Sequence, residues 1–132
     1  MDISSNIQKN IDLIHSHLAV DKSFDIVERK FIIAKRSAVL YYLNGFIKDD
    51  IMEEILKGFF KISIDTMDNF KTAEEFMLHE VPHVSVEKQK DLTLIIDALL
   101  TGQTILYIDG YKYFFILDLR TYPGSDSSEP EK

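Results

Sequence analysis

TILYIDGYKYFFILDLR, residues 104–120, is the stretch that decides the fold of this 132-residue chain. Two runs rich in β-branched and aromatic residues flank the pair Asp109-Gly110. Asp-Gly between such runs is a strong signal for a β-hairpin, because both residues tolerate the backbone angles of a turn. The sequence therefore predicts two paired strands, 105–108 and 113–119, at the centre of a sheet.

Elements before this hairpin follow from the spacing of apolar residues. DLTLIIDALLTG (91–102) predicts a helix with Asp91 as its N-cap, Gly102 closing its end, and a buried stripe of Leu92, Ile95, Ile96, Leu99 and Leu100. SFDIVERKFIIA (23–34) and SAVLYYLNG (37–45) are typical of paired strands, the second of which ends at Asn44-Gly45. Helical spacing also marks residues 3–18 and DDIMEEILKGFF (49–60), where Asp50 and Glu53 suggest a capping box.

Together these elements predict an α/β domain. We expect a small mixed, largely antiparallel sheet of four or five strands packed against about four helices, with residues 39–43 also in the sheet centre. A short helix over 73–81 and a strand over 84–88 complete the expected set. The end of the chain is polar and rich in Pro, Gly and Ser, so residues 1–121 are expected to form a single α/β subdomain and residues 122–132 a polar linker.

Composition excludes several classes of function. The formal net charge of −7 argues against nucleic acid as a partner, since binding to phosphates needs clustered Lys and Arg. The chain has no Cys, which excludes disulfides, thiolate metal sites and a cysteine nucleophile. Its N-terminus does not have the pattern of a signal peptide, and no apolar run approaches the roughly 20 residues of a membrane helix.

HEVPH (79–83) matches the H-E-x-x-H pattern of zinc hydrolases, in which His79 and His83 would bind the metal and Glu80 would act as base. The pattern requires a continuous helix, so that both imidazoles reach one ion. Pro82 lacks the N–H of a helical residue, crowds the preceding turn and pushes Val81 out of the helical region. We therefore predict a helix end here, with no metal site, and keep a metallohydrolase only as a remote alternative.

Other catalytic patterns are missing from the sequence. It contains no G-x-S-x-G nucleophile elbow and no Gly-rich phosphate loop. His15 and His17 are two residues apart on the first helix and therefore point to different sides, which suggests surface histidines. The residues themselves predict no catalytic site and no cofactor.

The C-terminal third resembles the A subunits of GerA-type spore germinant receptors, near the end of the first part of their N-terminal soluble domain. In that family a helix ending in an ALL-x-G segment leads into a strand with a terminal Asp-Gly, a second strand, an Arg-x-Tyr/Trp-Pro motif and a Glu-Pro pair. The matching positions here are Ala98, Leu99, Leu100, Gly102, Asp109, Gly110, Arg120, Tyr122, Pro123, Gly124, Glu129 and Pro130. Residues 37–56 are similar more loosely. Ser125 and Ser127 depart from the family pattern, which often has Arg and a branched aliphatic residue there.

This resemblance implies a receptor part rather than an enzyme. Such A subunits lie in the spore inner membrane and act with B and C subunits to sense nutrients and trigger ion release and germination. The chain would be the first of two α/β subdomains, a signalling and assembly module. Arg120, Tyr122 and Pro123 would then anchor the exit towards the second subdomain, with Glu129 as a candidate partner of Arg120.

An alternative stays open within the same resemblance. The domain would instead bind a small molecule, the nutrient germinant, in a cleft shared with the second subdomain, since clefts between α/β lobes are common ligand sites. On either hypothesis Gly45, Gly102, Asp109 and Gly110 are expected to be structural turn residues.

Overall fold

The computed structural model of the chain describes residues 2–18, 25–33, 35–45, 49–60 and 85–118. These residues form three helices and five strands, in the order α1 (Ile7–His17), β1 (Ile26–Ile33), β2 (Arg36–Leu43), α2 (Asp49–Phe60), β3 (Ser85–Gln89), α3 (Leu92–Leu100), β4 (Thr104–Ile108) and β5 (Phe114–Asp118). The sequence predicted about four helices, and the described residues contain three. The predicted helix over 73–81 lies outside the described residues.

The five strands form one sheet in the order β1-β2-β4-β5-β3. The sequence predicted a mixed, largely antiparallel sheet of four or five strands. The described sheet has five strands, and each of its four pairings is antiparallel, so it contains no parallel pair. The three strands expected at the centre, β2, β4 and β5, do lie there. The hairpins β1–β2 and β4–β5 each join two strands that are neighbours in the sheet. β3 comes between these hairpins in the sequence, but it lies at the edge of the sheet, beside β5.

The sheet is buried on both faces, which explains why its central strands are continuous apolar runs. On one face α2 packs against the sheet through Met52 and Leu56, in a core with Ala38, Leu40, Tyr42, Leu106, Ile108, Phe115 and Leu117. On the other face α1 and α3 cover Val39, Tyr41, Ile105, Tyr107, Phe114 and Ile116. Alternate residues of each strand thus enter opposite cores, as the pleat requires.

Two details of the helices differ from the sequence predictions. Asp91 caps α3 as expected, accepting from the N–H of Leu94, but the side chain of Leu100 is 53% exposed. Leu92, Ile95 and Leu99 already fill the narrow stripe that faces the sheet, and Leu100 lies a further 100° or so around the helix. In α2 the first helical residue is Asp49, so Asp50 lies inside the helix and is not its N-cap.

Candidate functional site

The Asp109-Gly110 turn, at the end of β4, is bonded to the start of α1. The N–H of Ile7 donates to Asp109 Oδ1 at 2.9 Å, and the N–H of Gly110 donates to the carbonyl of Ser5 at 3.2 Å. A carboxylate at this place satisfies a helix N–H that has no partner within the helix and opposes the positive end of the helix dipole. Asn6 caps the same helix locally by accepting from the N–H of Lys9. The turn therefore fixes where α1 begins on the sheet.

Arg36, the first residue of β2, also contacts this turn. Its Nη1 donates to the carbonyl of Asp109 at 3.0 Å, and its guanidinium lies 5.4 Å from the centre of the Tyr111 ring. Gly110 has φ +98°, and a Cβ built there would lie 2.8 Å from Arg36 Nη1. Both the backbone angle and the guanidinium therefore favour glycine at this position.

Two buried polar side chains, those of Asn10 and Tyr107, make hydrogen bonds to the N-terminal segment and to the residue after the turn. The side chain of Asn10 is fully buried; its Oδ1 accepts from the N–H of Ser4 and its Nδ2 donates to the carbonyl of Ser4, both at 2.8 Å. The hydroxyl of Tyr107 donates to the carbonyl of Tyr111 at 2.7 Å. Burial, reinforced by the charge of Asp109, raises the pKa of Tyr107 to about 12. This phenol is therefore protonated at neutral pH and acts as a donor.

At the other end of α1, His15 reaches β1 and β2 through Glu28. His15 Nε2 and Glu28 Oε2 are 2.6 Å apart, and the hydroxyl of Tyr41 donates to the same oxygen at 2.7 Å. Burial alone would raise the pKa of Glu28, but the hydrogen bonds from His15 and Tyr41, together with the positive charge of Lys30, outweigh it, so that this pKa lies below its ordinary value. Glu28 is thus ionised at neutral pH and is a poor base.

We call these two sets of contacts the turn clamp (Asn10, Arg36, Tyr107, Asp109, Gly110) and the glutamate clamp (His15, Glu28, Tyr41). Together they fasten α1 to the sheet near both ends. Each polar group is used to hold another part of the protein, which is an arrangement for positioning rather than for proton transfer. Among the described residues no three His, Asp or Glu side chains are grouped so as to hold a metal ion, and no helix is long and apolar enough to cross a membrane.

The structure brings together only part of the residue set expected from the sequence. Asp109 and Gly110 both belong to the turn clamp. Gly45 and Gly102 follow the ends of β2 and α3, and their φ angles are +93° and +101°. The remaining positions lie outside the described residues: HEVPH (79–83), Arg120, Tyr122, Pro123, Gly124, Glu129 and Pro130.

Several clamp residues were missed from the sequence. Asn10 had a usable signal, since it lies three residues from Ile7 and four from Ile14, within the apolar stripe of α1. A polar residue in such a stripe is normally buried with partners. The interpretation of His15 as a surface histidine was wrong, because Glu28 draws it into a half-buried pair, whereas His17 is indeed exposed. No local pattern marks Glu28, Arg36 or Tyr41.

Comparisons with known proteins agree on one family. The family model described as Bacillus/Clostridium GerA spore germination protein matches residues 13–132. Stage V sporulation protein AF of Bacillus subtilis (strain 168) is 27% identical over 126 residues, which cover 96% of this chain and 25% of that protein. The chain therefore spans about a quarter of the length of this curated relative.

A solved structure has the same fold. The crystal structure of the N-terminal domain of the A subunit of the Bacillus megaterium spore germinant receptor GerK3 matches with a TM-score of 0.66 at 20% sequence identity, over 89% of this chain and 95% of that one. The resemblance noted at Ala98–Pro130 is confirmed by the family model, which matches residues 13–132. This chain belongs to the GerA family of Bacillus/Clostridium spore germination proteins.

Proposed function

We propose that this chain is a non-enzymatic signalling and assembly domain of a spore germinant receptor A subunit. In this role it couples nutrient sensing to ion release and germination, together with B and C subunits in the spore inner membrane. Residues 1–121 form the first subdomain of the receptor's N-terminal region, and residues 122–132 link it to a second subdomain. Membership of the GerA family supports this assignment.

The observation that carries the proposal is the way α1 is fastened. α1 is held by the two clamps, whose hydrogen bonds each have a net worth of about 1 kcal/mol, and by Ile11 and Ile14, which it buries in one apolar core. Each central strand has residues in both apolar cores and hydrogen bonds to a strand on either side. α1 can therefore change its position at a lower free-energy cost than any central strand. An element with two positions and a small free-energy difference between them is what conformational coupling requires.

The test replaces Asp109 in the natural full-length protein. Asp109→Ala removes the acceptor for Ile7, whereas Asp109→Asn keeps an oxygen at the same place and serves as the matched control. We expect spores with Asp109→Ala to release ions more slowly, or at higher nutrient concentration, than spores with Asp109→Asn at equal protein abundance. Normal germination of spores that lack residues 1–121 altogether would contradict the proposal.

The similarity to Stage V sporulation protein AF favours a second candidate, a module that acts during sporulation rather than in nutrient sensing. The two candidates differ in when the protein is needed. Deletion of the gene should lower the yield of mature spores if the second candidate is right, and should leave that yield unchanged if the chain serves only a nutrient receptor. Counting heat-resistant spores before any nutrient is added separates them.

A further inference from the structure

The outer edge of β1 has the properties of a strand that pairs with another strand. β1 is at one end of the sheet order, and within the described parts of the chain its only strand partner is β2. It spans eight residues, Ile26–Ile33, and the side chain of Ile32 is 60% exposed. A long edge strand with an exposed apolar residue can pair with another strand, but charged residues limit this pairing. β1 carries Glu28, Arg29 and Lys30 at its middle, so its partner must place complementary charges opposite them.

The alternation of hydrogen bonds between β1 and β2 shows which backbone groups of β1 point outwards at this edge. The N–H of Asn44 donates to the carbonyl of Asp25 at 2.6 Å, next to the paired residues Ile26 and Leu43. In an antiparallel pair the bonded residues alternate, so the odd-numbered residues of β1 bond to β2. The backbone N–H and carbonyl groups that point away from β2 are therefore those of Ile26, Glu28, Lys30 and Ile32.

These four residues allow pairing with an identical strand in one favoured register. In an antiparallel pair about a two-fold axis, even-numbered residues must face even-numbered residues, because only they have outward backbone groups. A centre at Glu28 would place two glutamates opposite each other, and a centre at Lys30 would place two lysines opposite each other. A centre at Arg29 instead places Glu28 opposite Lys30 twice and Ile26 opposite Ile32 twice. Opposite charges and paired apolar residues stabilise cross-strand neighbours, whereas like charges destabilise them.

We propose that β1 is the interface of a homodimer, in which two copies of the chain pair their β1 strands antiparallel about a two-fold axis at Arg29 and form one continuous sheet. This inference does not depend on the proposed function. The same patch meets itself in such a dimer, as two-fold symmetry requires. The exposed Ile32 is then covered by Ile26 of the second copy, beside a groove of about 400 Å³ that α1 forms with the end of β1.

The charges around this interface are compatible with the pairing. Both described bonds to Glu28 use Oε2, and a carboxylate accepts up to about four hydrogen bonds, so Oε1 can accept from Lys30 of the second copy. The two copies of Arg29 face each other on the opposite side of the sheet, which is the least favourable contact. Each has Glu53 of its own α2 at 3.4 Å, so the group of four charges is neutral.

The lack of cysteine in the chain makes the register directly testable. In the proposed pairing Arg29 lies opposite its own copy at a position where Cα atoms are about 4.5 Å apart, a distance that a disulfide spans. Arg29→Cys should therefore give a covalent dimer under mild oxidation. Val27→Cys, the matched control, lies opposite Phe31 and should not cross-link, whereas a mixture of Val27→Cys and Phe31→Cys chains should do so.

Sedimentation of the unmodified chain provides the second measurement. We expect a concentration-dependent dimer, and we expect Lys30→Glu, which places two carboxylates opposite each other, to raise its dissociation constant about tenfold. A chain that stays monomeric up to millimolar concentration would overturn the proposal. Equal cross-linking of Arg29→Cys and Val27→Cys would also overturn it, because it would show random collision. A dimer in which Arg29→Cys does not cross-link would show that the two copies meet through another surface, and it would also contradict the proposal.

Discussion

Gly110 illustrates at the scale of one residue how backbone angle and neighbours act together. We expect Gly45→Ala, at φ +93° with nothing within 4 Å of the new Cβ, to cost about 1–2 kcal/mol of unfolding free energy from backbone strain alone. Gly110→Ala should cost about 1 kcal/mol more, because its Cβ displaces Arg36 from the Asp109 carbonyl and from Tyr111. Urea denaturation of both variants measures the difference.

An Arg36→Ala background supplies the control for this comparison. Without the guanidinium the two alanine substitutions should cost about the same, since only the backbone strain is left. A difference that persists in that background would place the cost elsewhere in the turn.

Glu28 should make the stability of the chain depend on pH in the acid range. Its pKa in the folded chain lies below the ordinary 4.5, so the unfolded chain binds more protons between the two values. The stabilisation is therefore complete above about pH 4.5 and is lost as the pH falls through the folded pKa. We expect Glu28→Gln to lower the unfolding free energy by about 1–2 kcal/mol at pH 7 and to flatten its decline below pH 4.5.

Equilibrium unfolding at intervals from pH 7 to pH 3 measures both effects. Glu53→Gln is the matched control, because its carboxylate is 53% exposed in a loose pair with Arg29 and should leave the profile nearly unchanged. Parallel pH profiles for the wild-type chain and Glu28→Gln would contradict the assignment.

At the scale of elements, α3 separates buried from exposed apolar positions within one helix. Ile95 is fully buried against the sheet, so Ile95→Ala should lower the unfolding free energy by about 2–5 kcal/mol. Leu100→Ala, at an exposed position of the same helix, should change it by less than about 0.5 kcal/mol. Denaturation of the pair checks the face that the structure assigns; similar losses for both would show that α3 packs differently.

The same helix shows how far the sequence could predict the fold. Spacing and caps predicted α3, the two hairpins and even the weak strand β3, because these features depend on neighbours in sequence. The spacing did not decide that Leu100 is exposed, since that depends on which arc of the helix the sheet covers. The contact between the Asp109 turn and α1 was beyond such reasoning: Ile7 and Asp109 are 102 residues apart, and only the topology brings them together.

At the scale of the whole molecule, residues 3–5 join parts of the fold that are distant in sequence. The N–H of Ile3 donates to the carbonyl of Lys90, the carbonyl of Ser5 accepts from Gly110, and Ser4 satisfies both ends of the Asn10 amide. Deletion of residues 1–5 should therefore lower the unfolding free energy by about 3 kcal/mol, with a buried amide left without its partner.

Thermal or urea unfolding of the shortened chain measures this loss. Ser5→Ala is the control, because it keeps the backbone carbonyl that Gly110 uses and should be close to neutral. An unchanged unfolding midpoint after the deletion would show that this segment does not contribute to the stability of the fold.

The place of β5 in the sheet has a mechanical consequence. β5 is the last described element of the chain, and it lies between β4 and β3 with antiparallel ladders on both sides. A pull on its C-terminal end, along the strand, loads the hydrogen bonds of both ladders in shear at the same time, because they run perpendicular to the force. A force applied at the C-terminal end of β5 is then shared by both ladders, so it displaces the sheet as one body before any single strand separates.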